Sequence, residues 1–66
     1  MVILQNKLKE RRKEQKMSQQ ELANKASVSR ATISMIENNK GVVIKTSTMS
    51  KIADALKTTI KDLFFN

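Results

Sequence analysis

Residues 17–38 read MSQQELANKASVSRATISMIEN, and the rest of the chain is organised around them. Two short amphipathic patterns stand a few residues apart, each opened by a serine suited to cap a helix. Ser18-Gln19-Gln20-Glu21 is a capping box, in which the Ser18 hydroxyl accepts from the Glu21 amide and the Glu21 carboxylate reaches back. Leu22, Ala23 and Ala26 make the buried face of that helix, and the two alanines let a neighbouring helix approach closely. Ser27-Val28 is too short for a flexible linker, so Val28 is expected to plug the angle between two helices. The second of these begins at the N-cap Ser29 and runs through about Glu37. With Ile33 at zero, Ile36 falls at about 300°, whereas Ser34, Ala31 and Met35 fall at about 100°, 160° and 200°. Those three point away from the core, with Arg30 and Thr32 flanking. Two capped helices at a fixed angle, sharing one apolar seam, describe a helix-turn-helix, which presents its second helix to DNA.

The flanks read as support. A first helix is predicted from about Gln5 to Lys16, with Leu4, Leu8 and Gln15 on one side and Arg11 and Arg12 at the margins. Lys7, Lys9 and Lys13 spread over its solvated remainder. Glu37 lies at the core's edge, where an unpaired carboxylate is costly. Its expected partner is Arg12 or Arg11, which would tie the first helix to the end of the third. Residues 38–45, NNKGVVIK, read as a loop in which Asn39 and Gly41 suit positive φ. The β-branched run Val42-Val43-Ile44 leaves two readings open, packing against the domain or contact with a second subunit. A fourth helix opens near Thr46-Ser47 and aligns Met49, Ile52, Ala53 and Leu56. A fifth starts at the N-cap Thr59, with Asp62 completing a second capping box, and buries Ile60, Leu63 and Phe64. Phe65 projects from a different side. The expectation is an all-α domain over residues 1–66, five short helices around one core.

Composition narrows the functional classes. Thirteen Lys+Arg against 6 Asp+Glu give +7. Up to Lys40 there are 9 basic and 4 acidic residues, so the excess sits with the paired helices, where a polyanion would bind. With no Cys and no His, a disulfide scaffold and a Cys/His zinc site are excluded, and stability must come from helix packing, with or without a partner subunit. No apolar run approaches the ~18 residues of a membrane span, and the opening MVIL lacks the layout of a signal peptide. A cytoplasmic protein without cofactor or small-molecule effector is expected. One Gly, no His, no Cys and no visible acid pair leave nothing resembling a catalytic constellation, so an enzyme is not expected.

From Leu8 to Phe64 the chain resembles the Cro/cI (XRE-type) helix-turn-helix family, with its lambda-repressor-like fold. Three segments carry the likeness in order. Arg12 precedes Met17-Ser18-Gln19-Gln20-Glu21-Leu22-Ala23. The segment from Ser27 to Lys40 (SVSRATISMIENNK) follows, and the segment from Ile52 to Phe64 (IADALKTTIKDLF) closes the pattern. The resemblance implies that Gln19 grips a DNA phosphate, that Ser29, Arg30, Ala31 and Ser34 reach phosphate and base edges, and that Asn38 and Lys40 meet the backbone. It also implies an Arg12–Glu37 salt bridge, favouring Arg12 over Arg11. Ser27 and Lys57 stand where the family commonly has Gly, so each is expected either to carry left-handed strain of ~1 kcal/mol or to adopt another geometry. Arg11 occupies a position often apolar in the family. The loop before the fourth helix is about a residue longer than usual and lacks the frequent Pro.

The expected function is sequence-specific binding of double-stranded DNA by a transcriptional regulator. Arg30 reaches either a guanine edge or a phosphate. Ala31 and Met35 suit thymine methyls, and Ser34 is an adaptable polar contact. One short recognition helix reads too few base pairs to be selective, so a homodimer is expected, with Val42, Val43, Ile44 and Phe65 as candidates for its surface. The alternative is a protein-interaction module, such as an antitoxin that binds its own promoter secondarily and carries a partner-wrapping tail. A membrane-surface peptide fits poorly, because the basic residues of the first helix do not segregate from a broad apolar face.

Overall fold

A computed structural model describes residues 2–3, 6–38 and 42–65. Its helices are α1 (Leu8–Glu14), α2 (Gln19–Ala26), α3 (Arg30–Asn38), α4 (Thr46–Ala55) and α5 (Ile60–Phe64). The five-helix, all-α architecture is the one the periodicity predicts. The added detail is a two-residue antiparallel pair between β1 (Val2–Ile3) and β2 (Val42–Val43), with Val2 opposite Val43 and Ile3 opposite Val42. Residues 42–43 are therefore paired backbone and not simply loop, as their β-branched side chains favour.

Local chemistry sets the helix starts. At α2 the capping box is complete: the Glu21 amide donates to Ser18 Oγ, and the Ser18 amide donates to the Glu21 carboxylate, both at 3.0 Å. At α3 the Thr32 amide donates to Ser29 Oγ at 3.1 Å. At α5 the Asp62 amide donates to Thr59 Oγ1 at 3.0 Å. This last cap is one-sided, in contrast to the expected second box, because the Asp62 side chain is one methylene shorter than Glu. The α1 helix begins at Leu8 and not at Gln5, because the side-chain oxygen Oδ1 of Asn6 accepts the Leu8 amide at 3.0 Å and so initiates the first turn. Leu4 and Gln5 lie outside the described residues.

Three helices end alike. Lys16, Ser27 and Lys57 adopt φ of 56°, 57° and 56°. In each case the following amide reaches back five residues: Met17 to the Arg12 carbonyl, Val28 to Ala23 and Thr58 to Ala53, at 3.1, 3.0 and 3.0 Å. These are Schellman closures with a non-glycine residue in the left-handed position, which leaves a steric penalty of about 1–2 kcal/mol at each. Of the two alternatives left open for Ser27 and Lys57, the left-handed one is adopted at both, while Lys16 adds a third site and stops α1 short of its predicted end.

The helices close on one core. Leu8, Leu22, Ile33, Ile36, Met49, Ile52, Leu56 and Leu63 are fully buried. Small Ala23 and Ala26 let α2 pack against both α3 and α4, while α1 bridges α3 and α5. Val28, partly buried, packs against this core at the corner between α2 and α3. Three polar ties fix α1: Asn6 Nδ2 donates to the Ile36 carbonyl (3.0 Å), the Lys7 amide to the Leu63 carbonyl (2.8 Å) and Gln15 Nε2 to the Leu56 carbonyl (2.7 Å).

Candidate nucleic-acid interface

The α3 helix divides as its periodicity predicts. Ile33 and Ile36 are fully buried, while Arg30, Ala31 and Met35 are exposed and Ser34 is half-buried. Met35 retains 45% of its surface, a large exposed apolar side chain on a helix that already buries its other face. Arg30, Ala31 and Ser34 line a shallow depression of ≈ 290 Å³. A groove edge formed by one guanidinium, one methyl and one hydroxyl offers donors, an acceptor and an apolar contact within a single helical turn.

Hydrogen bonds hold the rim of this face. Ser29 Oγ, besides capping α3, lies 2.8 Å from Thr32 Oγ1. Asn38 Nδ2 donates to Ser34 Oγ at 3.2 Å, one turn below. The spacings of three and four residues are those at which helical side chains meet. Lys40 lies outside the described residues.

Beneath the rim is the ion pair. Arg12 Nε donates to Glu37 Oε2 at 2.7 Å and Arg12 Nη2 to Glu37 Oε1 at 3.1 Å, a bidentate arrangement. Arg12 Nη1 donates to the Met17 carbonyl at 2.7 Å. The two side chains are only 10% and 1% exposed. The hydrogen bond to Glu37 raises the Arg12 pKa above the ordinary arginine value, outweighing the opposing effect of burial, and the charge of Glu37 adds to the rise. Arg11 instead sits 3.6 Å from Glu14 on the same helix, which settles which arginine partners Glu37. Gln19, the first residue of α2 and half-buried, donates through Nε2 to Glu37 Oε1 at 3.2 Å. No local spacing foreshadows this contact, since 18 residues separate the two.

A helix-turn-helix family model matches residues 8–63. The chain belongs to the XRE-type helix-turn-helix family. It is accordingly a DNA-binding regulator and not an enzyme. Among solved structures of this kind, the biofilm master regulator SinR in complex with DNA superposes with a TM-score of 0.77 at 31% identity, over 82% of this chain and 86% of that one. The N-terminal DNA-binding domain of SinR from Bacillus subtilis gives 0.76 at 31% identity, over 82% and 78%. The restriction-modification controller protein C.AhdI from Aeromonas hydrophila gives 0.81 at 26%, over 88% and 86%. The chain spans 53% of a longer chain matched in the SinR–SinI complex. No curated protein matches at the same stringency.

The expected subunit-contact residues fall into different environments. Val43 is 70% and Phe65 49% exposed. Ile44 is only 4% exposed and belongs to the core, so it is corrected out of the surface set. The physical reason is alternation along extended backbone, which sends neighbouring side chains to opposite faces. The side chain of Val42 lies outside the described residues. Among the described residues, no helix is long and apolar enough to cross a membrane.

Proposed function

We propose that this chain is a cytoplasmic, sequence-specific regulator that binds double-stranded DNA as a homodimer on a pseudopalindromic operator, with α3 in the major groove. The observation that carries the reading is the division of α3 into a fully buried Ile33/Ile36 face and an outward Arg30, Ala31, Ser34 and Met35 face. In this reading Arg30 pairs with guanine O6 and N7, Ala31 and Met35 meet thymine methyls, and Ser34 takes an adaptable polar contact. Gln19, Ser29, Asn38 and Lys40 grip phosphates and set register. The net charge of +7 supplies the sequence-independent attraction. Dimerisation doubles the bases read, and exposed Val43 and Phe65 are the candidate contacts.

Selection of bound fragments from a genomic library at two salt concentrations tests specificity. The reading fails if no fragment outcompetes bulk DNA at ~150 mM salt. Arg30→Ala then tests the base contact. A guanine contact costs about 1–3 kcal/mol and relaxes one operator position, whereas a uniform loss with a shallower salt dependence would move Arg30 to phosphate.

A further inference from the structure

A buried ion pair that joins α1 to the last turn of the helix bearing the groove-facing side chains would be an expensive structural tie if packing were its only role. Its third partner gives it another. Glu37 Oε1 accepts from Arg12 Nη2 and from Gln19 Nε2 together, at 3.1 and 3.2 Å. We propose that Glu37, neutralised by Arg12, is a positioning residue for DNA binding, holding the Gln19 amide so that its second N–H is aimed at a backbone phosphate. This rests on the reading of Gln19 as a phosphate contact.

The chemistry of the three groups is asymmetric in a useful way. An ionised carboxylate only accepts, so it orients the Gln19 amide with nitrogen inward and excludes the flipped arrangement. The amide group is planar, and once one N–H is engaged the direction of the other follows from bond geometry. A free glutamine loses rotamer freedom when it is fixed on binding, equivalent to about tenfold in affinity; one already held avoids most of that loss. Arg12 is essential to the arrangement. Alone, Glu37 would place a negative charge next to the negative DNA backbone, and its hold on Gln19 would be offset by repulsion. With two bonds from the guanidinium, the carboxylate keeps its acceptor capacity while the local charge cancels. The carboxylate at which α1, the start of α2 and the end of α3 meet thus also sets the phosphate grip.

A binding cycle tests the proposal. The probe is a labelled duplex of about 24 base pairs, long enough for two half-sites one turn apart, obtained by the protein's own selection from a random library. Affinity is read by fluorescence anisotropy for the wild type, Gln19→Ala, the pair-removed Arg12→Met/Glu37→Leu, and the triple variant. Gln19→Ala is expected to weaken binding about tenfold in the wild type but less than about threefold once the pair is gone. An equal loss in both backgrounds overturns the positioning role while leaving Gln19 as a phosphate contact. No loss in the wild type overturns the phosphate contact itself, and the proposal with it. Should the pair-removed protein not fold, nitrogen relaxation of side-chain amides in the DNA-free wild type decides. The Gln19 amide, held by a buried ion pair, is expected to be more restricted than that of Gln20, whose bond to Asn24 is exposed to solvent, and equal mobility overturns the proposal.

Discussion

Arg12→Met isolates the energetics of the ion pair by leaving its anion behind. The substitution removes both bonds to Glu37, at 2.7 and 3.1 Å, and the 2.7 Å bond to the Met17 carbonyl. Glu37, with a side chain 1% exposed, keeps only Gln19 from this network as a donor. Breaking a buried pair from one side costs about 3–5 kcal/mol, because the remaining charge is uncompensated. A domain of 66 residues has a total stability of about 3–10 kcal/mol. The variant therefore stands close to unfolding at room temperature. At about 4–8 °C per kcal/mol for this size, its Tm falls by about 12–40 °C. Arg12→Met/Glu37→Leu removes the stranded charge, so the remaining polar deficit is chiefly the Met17 carbonyl, worth about 1–3 kcal/mol. The double variant is thus expected to be more stable than the single one by about 2 kcal/mol, although it carries more substitutions. Urea unfolding followed by far-ultraviolet circular dichroism measures both, at one protein concentration, because self-association raises apparent stability. A single-variant loss below about 1 kcal/mol, or a double variant no more stable than the single, refutes the reasoning.

Other perturbations probe separate features. Ser18→Ala removes the hydroxyl that closes the α2 box, and thermal unfolding should register a loss of about 1 kcal/mol. Lys57→Gly relieves a left-handed φ of 56°, and after the entropy cost of glycine a gain of about 0.5–1 kcal/mol is expected in the same assay. Lys16→Gly, at φ 56°, is expected to gain similarly, and a loss at both positions would contradict the strain assignment. Phe65→Ser, at an exposed site, should weaken self-association in sedimentation equilibrium, and an unchanged dimerisation constant would remove Phe65 from the interface. The raised Arg12 pKa makes the pair resistant to alkali. Stabilisation by a raised basic group is complete below the ordinary arginine value and lost only above it. The stability difference between wild type and Arg12→Met should therefore be unchanged from neutral to about pH 9.

What could be read from the sequence and what could not divides along the range of the interactions. The α2 and α3 boundaries and the Ile33/Ile36 seam are written in neighbours three and four residues apart, so capping and periodicity suffice to place them. The tie of Glu37 to α1 spans 25 residues yet was legible in part: charges at the margins of apolar stripes each need a partner, but that reasoning leaves Arg11 and Arg12 open, and only the family resemblance favours Arg12. The α1 start was not, since Asn6 is placed by the Ile36 carbonyl 30 residues away and no local pattern encodes that acceptor. The β1–β2 pair shares this difficulty. Each run of branched residues is visible, but two-residue strands carry too little alternation to reveal their partner or to separate exposed Val43 from buried Ile44. Lys16 shows a third limit: the left-handed closure there is forced by Met17 folding back to the Arg12 carbonyl, and glycine is absent from the position that would have announced it. The same distinction governs the interface. Which side chains face outward on α3 follows from its own periodicity, but the holding of Gln19 by Glu37 depends on α1, α2 and α3 meeting at one carboxylate. Under the proposed function, exchanging outward residues is therefore expected to change the sequence read, whereas an exchange at Arg12 or Glu37 is expected to disturb folding and phosphate grip together.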